Sequence, residues 1–343
     1  MDKELNISQL FFAFNERYSR DARGVSPLHI FTAFSKISPE NLSIKASERG
    51  MDAQIKTLDE NLYQILVTLQ RRSAKGYLVT YDEFWIFFFE PTESSTITGE
   101  VASTWIENFY PLLSMPFVES EQLIGLLEEL NDLGNKNKQE NVRIIDYVLI
   151  REGEKGTTKT WQKKTFSKKE LLNTQKANDK RLEAIRFEFR VENTYFKAKI
   201  SRNCHFIYYT GGSTGFSDLH RLVITSLIQI AQEEQKLFSG KERKVIGDEV
   251  IINPLAFVLD KPLSNLDLKE LQVHLRRNFS GAVIHSSNPV LFISLIDRGD
   301  GSSFDVNVFE NEIRVIPFNK ATPESFTRLY KLISNLFPSA VAK

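Results

Sequence analysis

The chain contains one cysteine, Cys204, among 343 residues. A single thiol cannot form an intramolecular disulfide, so the fold must rest on packing and backbone hydrogen bonds, and a reducing compartment is expected. No apolar run approaches the roughly 20 residues that a membrane helix needs; the most apolar short stretch is FWIFFF, Phe84–Phe89. The N-terminal MDKELNISQL lacks a basic head followed by an apolar block. No secretory signal is therefore expected, and the chain reads as soluble and cytoplasmic, with no membrane partner. Neither sign of charge dominates, because Lys plus Arg and Asp plus Glu number 44 each. That balance excludes a global field for gathering nucleic acid or membrane. The histidines, His29, His205, His220, His274 and His285, lack the i, i+4 or alternate spacing that metal sites favour, so no metal or other cofactor is expected.

What is present is ordinary globular composition, 41% hydrophobic and 26% charged, with phenylalanine frequent at 26 copies. Three places share one pattern of strand, tight turn, strand, polar loop and amphipathic helix. The first runs GYLVTY (76–81), a turn at Asp82, EFWIFFF (83–89), then a helix with Val101, Trp105, Phe109 and Leu112 on one stripe. The second runs YFKAKIS (195–201), a turn at Arg202-Asn203, CHFIYY (204–209), then a helix from Asp218 carrying Leu219, Leu222, Val223, Leu227 and Ile230. The third runs SFDVNVF (303–309), a turn at Glu310-Asn311, EIRVIPF (312–318), then a helix carrying Phe326, Leu329, Tyr330, Ile333 and Leu336.

A further strand precedes each hairpin, at Leu62–Leu69, Ala184–Val191 and Val290–Ile296. The last two units also carry an upstream strand and helix: Val142–Ile150 with a helix from Lys168, and Val245–Val258 with a helix from Asp267. Capping boxes at Ser167–Glu170 and Ser264–Asp267 mark those helix starts, and Thr322-Pro323, Ser217 and Thr98 supply hydroxyls for the others. The expected class is α+β, with two to three related units of antiparallel three-stranded meander closed by a helix. Boundaries fall at 1–115, 116–240 and 241–343. FWIFFF is apolar on both faces, which predicts an interior strand covered on both sides; an exposed aromatic platform is the rival reading.

Four features invite chemistry. YYTGGSTGFS (208–217) resembles a phosphate loop, but no lysine follows Gly215 as a Walker loop requires, and the glycine spacing does not match a dinucleotide fingerprint. Its place is that of a strand-to-helix connector, so a flexible turn is expected. Gly211, Gly212, Ser213, Thr214 and Ser217 are retained as an anion-binding alternative. Cys204-His205 are neighbours on a strand and point to opposite faces, so they form no dyad. Asp297–Asp305, DRGDGSSFD, has glycines where a calcium loop needs oxygen ligands, and reads as a hairpin turn. Finally, residues 151–190 hold twelve Lys/Arg against six Asp/Glu. Lys159, Lys163, Lys164, Lys168, Lys169, Lys176, Lys180 and Arg181, with Arg276 and Arg277 further on, are the candidate contacts to nucleic acid, the alternative being a solvated helix face.

The functional expectation is a non-catalytic binding protein that contacts DNA or RNA through this basic segment, within a defence or repair assembly. An enzyme acting on a nucleotide or phosphorylated substrate at 211–218, and a scaffold subunit that binds a partner protein or itself, are the alternatives.

Overall fold

The computed structural model describes residues 5–19, 25–91, 94–133, 141–150, 158–160, 166–178, 180–239, 241, 243–246, 249–287, 290–318, 321–337 and 340–342. The chain divides into two compact units, the first built mainly from residues up to Ile230 and the second mainly from residues after it. Both are α+β, with antiparallel meanders and amphipathic helices.

The first unit begins with α1 (Ile7–Arg17), β1 (Leu28–Ser35) and α2 (Leu42–Glu48), followed by the meander β2 (Asp52–Asp59), β3 (Leu62–Leu69), β4 (Arg72–Tyr81) and β5 (Phe84–Glu90). Helix α3 (Ser95–Asn108) closes it, and the short β6 (Leu113–Ser114) pairs with β1. The chain continues through α4 (Ser120–Asp132), β7 (Val142–Ile150), β8 (Thr158–Thr160), α5 (Lys168–Asn178), β9 (Arg181–Val191), β10 (Thr194–Ser201) and β11 (His205–Gly211). Helix α6 (Gly215–Leu219) passes through a π turn at His220–Ile224 into α7 (Thr225–Ser239). These strands form one sheet of eleven in the order β2-β3-β4-β5-β1-β11-β10-β9-β7-β8, with β6 off the path. The strands of the segments 1–115 and 116–240 thus pair side by side, and β1 is the seam between β5 and β11.

All six residues of FWIFFF are at most 3% exposed. The strand lies between β4 and β1, and its alternate side chains meet different layers. Trp85, Phe87 and Phe89 join the core beneath α3, with Phe31, Tyr63 and Trp105. Phe88 faces the other way, against Phe11 and Phe14 of α1 and Phe216 of α6. Each buried phenylalanine contributes about 1.5–3 kcal/mol. The aromatic-platform reading of this strand is thereby excluded.

In the second unit β12 (Arg243–Ile246) and β13 (Glu249–Ile252) form a separate hairpin. Then follow β14 (Leu255–Val258), α8 (Asn265–Asn278), the meander β15 (Ser280–Ser287), β16 (Val290–Ile296), β17 (Ser303–Val308) and β18 (Glu312–Pro317), helix α9 (Pro323–Leu336) and β19 (Val341–Ala342). The order is β15-β16-β17-β18-β14-β19. The first and last repeats therefore share one topology: a strand, a helix, a four-stranded meander, and a helix, with the leading strand returning beside the last. These two meanders hold four strands where three were expected, whereas the central one, β9-β10-β11, holds three. The strand expected over Val245–Val258 is instead divided among β12, β13 and β14; Pro254, ahead of β14, has no N–H to continue a ladder.

Helix starts follow capping chemistry. Ser264 and Asp267 form a reciprocal box, and Thr322 accepts from the Ser325 amide ahead of Pro323. Two expectations are corrected. Ser94 caps α3 and Thr98 is buried inside it, while Thr214 occupies the N-cap position of α6 and Ser217 lies within the helix.

Candidate functional site

The glycine connector is tied down on every side. The amides of Gly211, Gly212 and Gly215 donate to the carbonyls of Tyr18, Tyr195 and Gly212, at 3.0, 2.7 and 3.0 Å. Asn15 of α1 accepts from the amides of Phe216 and Ser217 at 2.9 and 3.4 Å, and its own amide donates to the Ser217 hydroxyl at 2.8 Å. The Thr214 hydroxyl donates to Asp218. An anion at the start of α6 would compete with Asn15 for the Phe216 and Ser217 amides and with the Gly212 carbonyl for that of Gly215. The glycines answer to space. A Cβ on Gly211 would sit 2.2 Å from the Tyr208 hydroxyl, and one on Gly215 would sit 2.6 Å from the Tyr195 carbonyl oxygen.

The basic segment is dispersed. Lys163 and Lys164 lie outside the described residues, as do the side chains of Lys159 and Lys176. Lys168 and Lys169 are exposed at the start of α5, and Lys168 is paired with Glu128 at 2.7 Å. Lys180 is half-buried. Arg181 is corrected: it is 5% exposed and donates to the Phe337 and Ala340 carbonyls, so its guanidinium is not available to a phosphate. Arg276 and Arg277 are exposed in the last turn of α8.

A different basic surface lies on the sheet face formed by β9, β10 and β11. Arg186 and Arg190 alternate with buried phenylalanines on β9, and Lys197 and Lys199 alternate with buried Phe196, Ala198 and Ile200 on β10. Cross-strand pairing sets Tyr195 opposite Arg190, Lys197 opposite Glu188 and Lys199 opposite Arg186. Arg190 lies 5.2 Å from the Tyr195 ring centre and Arg186 5.6 Å from that of Tyr209. Tyr209 lies two residues beyond Ile207, the partner of Lys199, and so shares this face; it is also the extra residue of a bulge in β11. Arg186 is paired with Asp146, and Lys197 lies 3.8 Å from Glu188. Lys199 has no ion-pair partner among the described residues.

At one end of this face is a cleft of about 260 Å³, lined by Ser103, Met115, Glu183, Lys199, Asn203 and His205 among others. His205 belongs to a buried polar chain. Its Nε2 is 3.2 Å from Nδ1 of His29, whose Nε2 is 2.8 Å from the Ser95 hydroxyl. The β1–β11 register pairs Phe31 with His205 and His29 with Ile207, so the histidines are diagonal neighbours on one face. The His205 ring stacks on Phe31 at 4.0 Å. Gly99 of α3 admits the His29 ring, since a Cβ there would lie 2.7 Å from its Cε1.

Burial and, more weakly, the Lys199 charge lower the His29 pKa to about 4, against the contact with Ser95, which raises it. Burial, the facing His29 and Lys199 bring His205 down to about 3. Both rings are therefore neutral near pH 7, and one proton lies between their facing nitrogens. The connectivity is that of a hydroxyl, a base and an orienting group. As a nucleophile's base, however, His29 is poorly placed: an imidazolium would be buried near Lys199, with His205 and Ser95, and no carboxylate, as its hydrogen-bonding partners among the described residues. What the chain does instead is couple the tautomer of His205 to Ser95. When Ser95 donates to His29 and His29 to His205, Nδ1 of His205 carries a proton toward the cleft.

Among the described residues no group of three or more metal-ligating side chains is present. Cys204 is buried at the β10–β11 turn. The Asp297–Asp305 loop is the β16–β17 turn. Asp297 is fully buried, accepting from Arg328 at 2.5 Å and from the Ser325 hydroxyl at 2.9 Å, while Asp300 accepts from Thr322, Ser302 and Ser325. Its carboxylates fasten the turn to the start of α9.

Sequence reasoning missed the His29–His205 pair because it depends on a contact between residues 176 apart. The sheet cations were within reach, since RFEFR and KAK alternate as half-buried strands do. No protein-family model matches the sequence. No match emerges among curated proteins. Among solved structures, the Bacillus megaterium YpeB C-terminal domain aligns over 83% of this chain and 100% of its own at 8% identity, with a TM-score of 0.16. A likeness that weak bears on neither fold nor function.

Proposed function

We propose that the protein is a non-catalytic binder of single-stranded nucleic acid, using the β9–β11 face in place of the lysine segment alone. The observation that carries this reading is the cross-strand array of Arg186, Arg190, Lys197 and Lys199 with Tyr195 and Tyr209 among them. Cations track a phosphate backbone, and aromatic rings stack on bases of any identity. The pairing of Arg186 and Lys197 with carboxylates tempers the charge, which favours modest, salt-sensitive affinity. The test is fluorescence anisotropy with a labelled 12-mer at low and rising salt. Arg190→Glu with Lys197→Glu should weaken binding and flatten the salt dependence by about 0.7 in slope per lost contact. Lys168→Glu with Lys169→Glu should have a smaller effect. No binding at low salt, or unaltered binding by the sheet variant, would overturn the reading.

A contact with a partner protein or a second copy is the other reading. It is favoured by Val250, Ile251 and Ile252 of β13, which are 47%, 50% and 44% exposed. Apolar residues on an exposed strand are a template for association. Ile251→Asp should abolish any concentration-dependent shift in sizing chromatography, and a wild-type elution independent of concentration counts against self-association.

A further inference from the structure

Three hydrogen-bond donors in the cleft beside β10 and β11 are unspent. Among the described residues, the Lys199 ammonium, the Asn203 amide and Nδ1 of His205 have no hydrogen-bonding partner, yet all three residues line the same space. The neighbouring polar groups are engaged: the Ser103 hydroxyl donates to Glu107 and the Ser201 hydroxyl to the His205 carbonyl. The Ser95–His29–His205 chain can hold Nδ1 of His205 as a donor. Unpaired donors around one cation, in a partly enclosed space, fit an anion. Met115, Ala184 and Ile207 supply an apolar side.

We propose that this cleft is a subsite for a phosphate monoester, held by Lys199, Asn203 and His205. This deepens the proposed function, because Lys199 belongs to both the cleft and the sheet face. The phosphate can therefore be the 5′ end of a strand lying on that face, or that of a free mononucleotide.

The experiment uses the full chain and three probes: a 12-mer with a 5′-phosphate, the same 12-mer with a 5′-hydroxyl, and AMP. The phosphorylated strand should bind about tenfold more tightly than the hydroxyl form, the gain expected of one charge-assisted contact. Lys199→Met should erase that ratio. Ser95→Ala, which removes the hydroxyl at the far end of the chain, should reduce it. Lys197→Met should weaken both strands alike and leave the ratio intact. Equal binding of the two strands, with no AMP binding, overturns the subsite and leaves the sheet reading standing. If neither strand binds but AMP does, and Lys199→Met abolishes it, the cleft stands as a free-nucleotide site and the sheet reading falls. If nothing binds, both fall.

Discussion

Substituting Gly99 by alanine tests whether the histidine chain is held as the structure has it. In an isolated helix interior, Gly→Ala stabilises by about 1 kcal/mol. At position 99 the new methyl would lie 2.7 Å from Cε1 and 2.9 Å from Nδ1 of His29. The ring cannot easily yield. Its two nitrogens are engaged by Ser95 and His205, and it is 4% exposed beneath α3. Overpacking of this kind costs about 1–3 kcal/mol, and displacing the ring sacrifices hydrogen bonds of about 1 kcal/mol each. The clash outweighs the helical gain, for a net loss of about 1–3 kcal/mol. In urea the unfolding midpoint of the first unit should drop by about 0.5–1 M. Trp85 and Trp105 report that transition by fluorescence, in a Trp161→Phe background. The decisive control is a double-mutant cycle with His29→Ala. Without the ring, Gly99→Ala should become neutral or stabilising. Equal destabilisation in both backgrounds, or a raised midpoint in the wild-type background, would refute the argument.

The connector glycines should separate by space: Gly211→Ala and Gly215→Ala destabilise by about 2 kcal/mol or more in thermal or urea unfolding, whereas Gly212→Ala, whose nearest neighbour would be 3.5 Å away, stays near wild type. The buried histidines give a pH dependence of defined sign. Their folded pKa values, about 4 for His29 and about 3 for His205, lie below the ordinary value of 6.5, so the unfolded chain binds more protons between these limits. Their contribution to stability is complete above pH 6.5 and is lost as pH falls toward 4 and then 3; His205→Asn should flatten the difference between stabilities measured at pH 7 and pH 5. In the second unit, Asp297→Asn removes the charge facing Arg328 from a fully buried site and should cost about 3 kcal/mol. A change under about 0.5 kcal/mol in calorimetry would show that the Asp300 hydroxyl network alone fastens α9.

The meanders and helices were legible because their signals are local. Alternation in YFKAKIS and helical spacing in Phe326–Leu336 need no knowledge of the rest of the chain, and the two-sided burial of FWIFFF follows from its lack of polar positions. What failed was whatever depended on a distant partner. The glycines of 211–215 signalled a backbone without Cβ atoms, but the sequence cannot say whether a phosphate or the Tyr195 carbonyl occupies the space. Arg181 looked like one more cation in a basic run, yet two carbonyls from near the end of the chain enclose it. Arg202 read as a turn residue, whereas it is fully buried, bonded to the Val118 carbonyl and paired with Glu119.

The site itself follows from how the repeat is terminated. In each complete repeat the leading strand returns beside the last strand of the meander, which leaves its other edge unpaired and in need of cover. In the second unit β14 is finished by β19, a strand of two residues. In the first unit β1 is finished by β11, which carries the rest of an eleven-stranded sheet with it. Helix α3 packs on β1, β3, β4 and β5, and beyond β1 the sheet face carries the half-exposed cations and tyrosines. The cleft lies at that step: its lining joins Ser103 and Met115 from the first half with Lys199, Ser201 and Ile207 from the second. The same pairing brings His29 and His205 within hydrogen-bonding distance. The three donors all lie in the second half, but the relay that orients His205 needs His29 and Ser95 from the first, so the proposed subsite depends on the seam and not on the repeated unit alone.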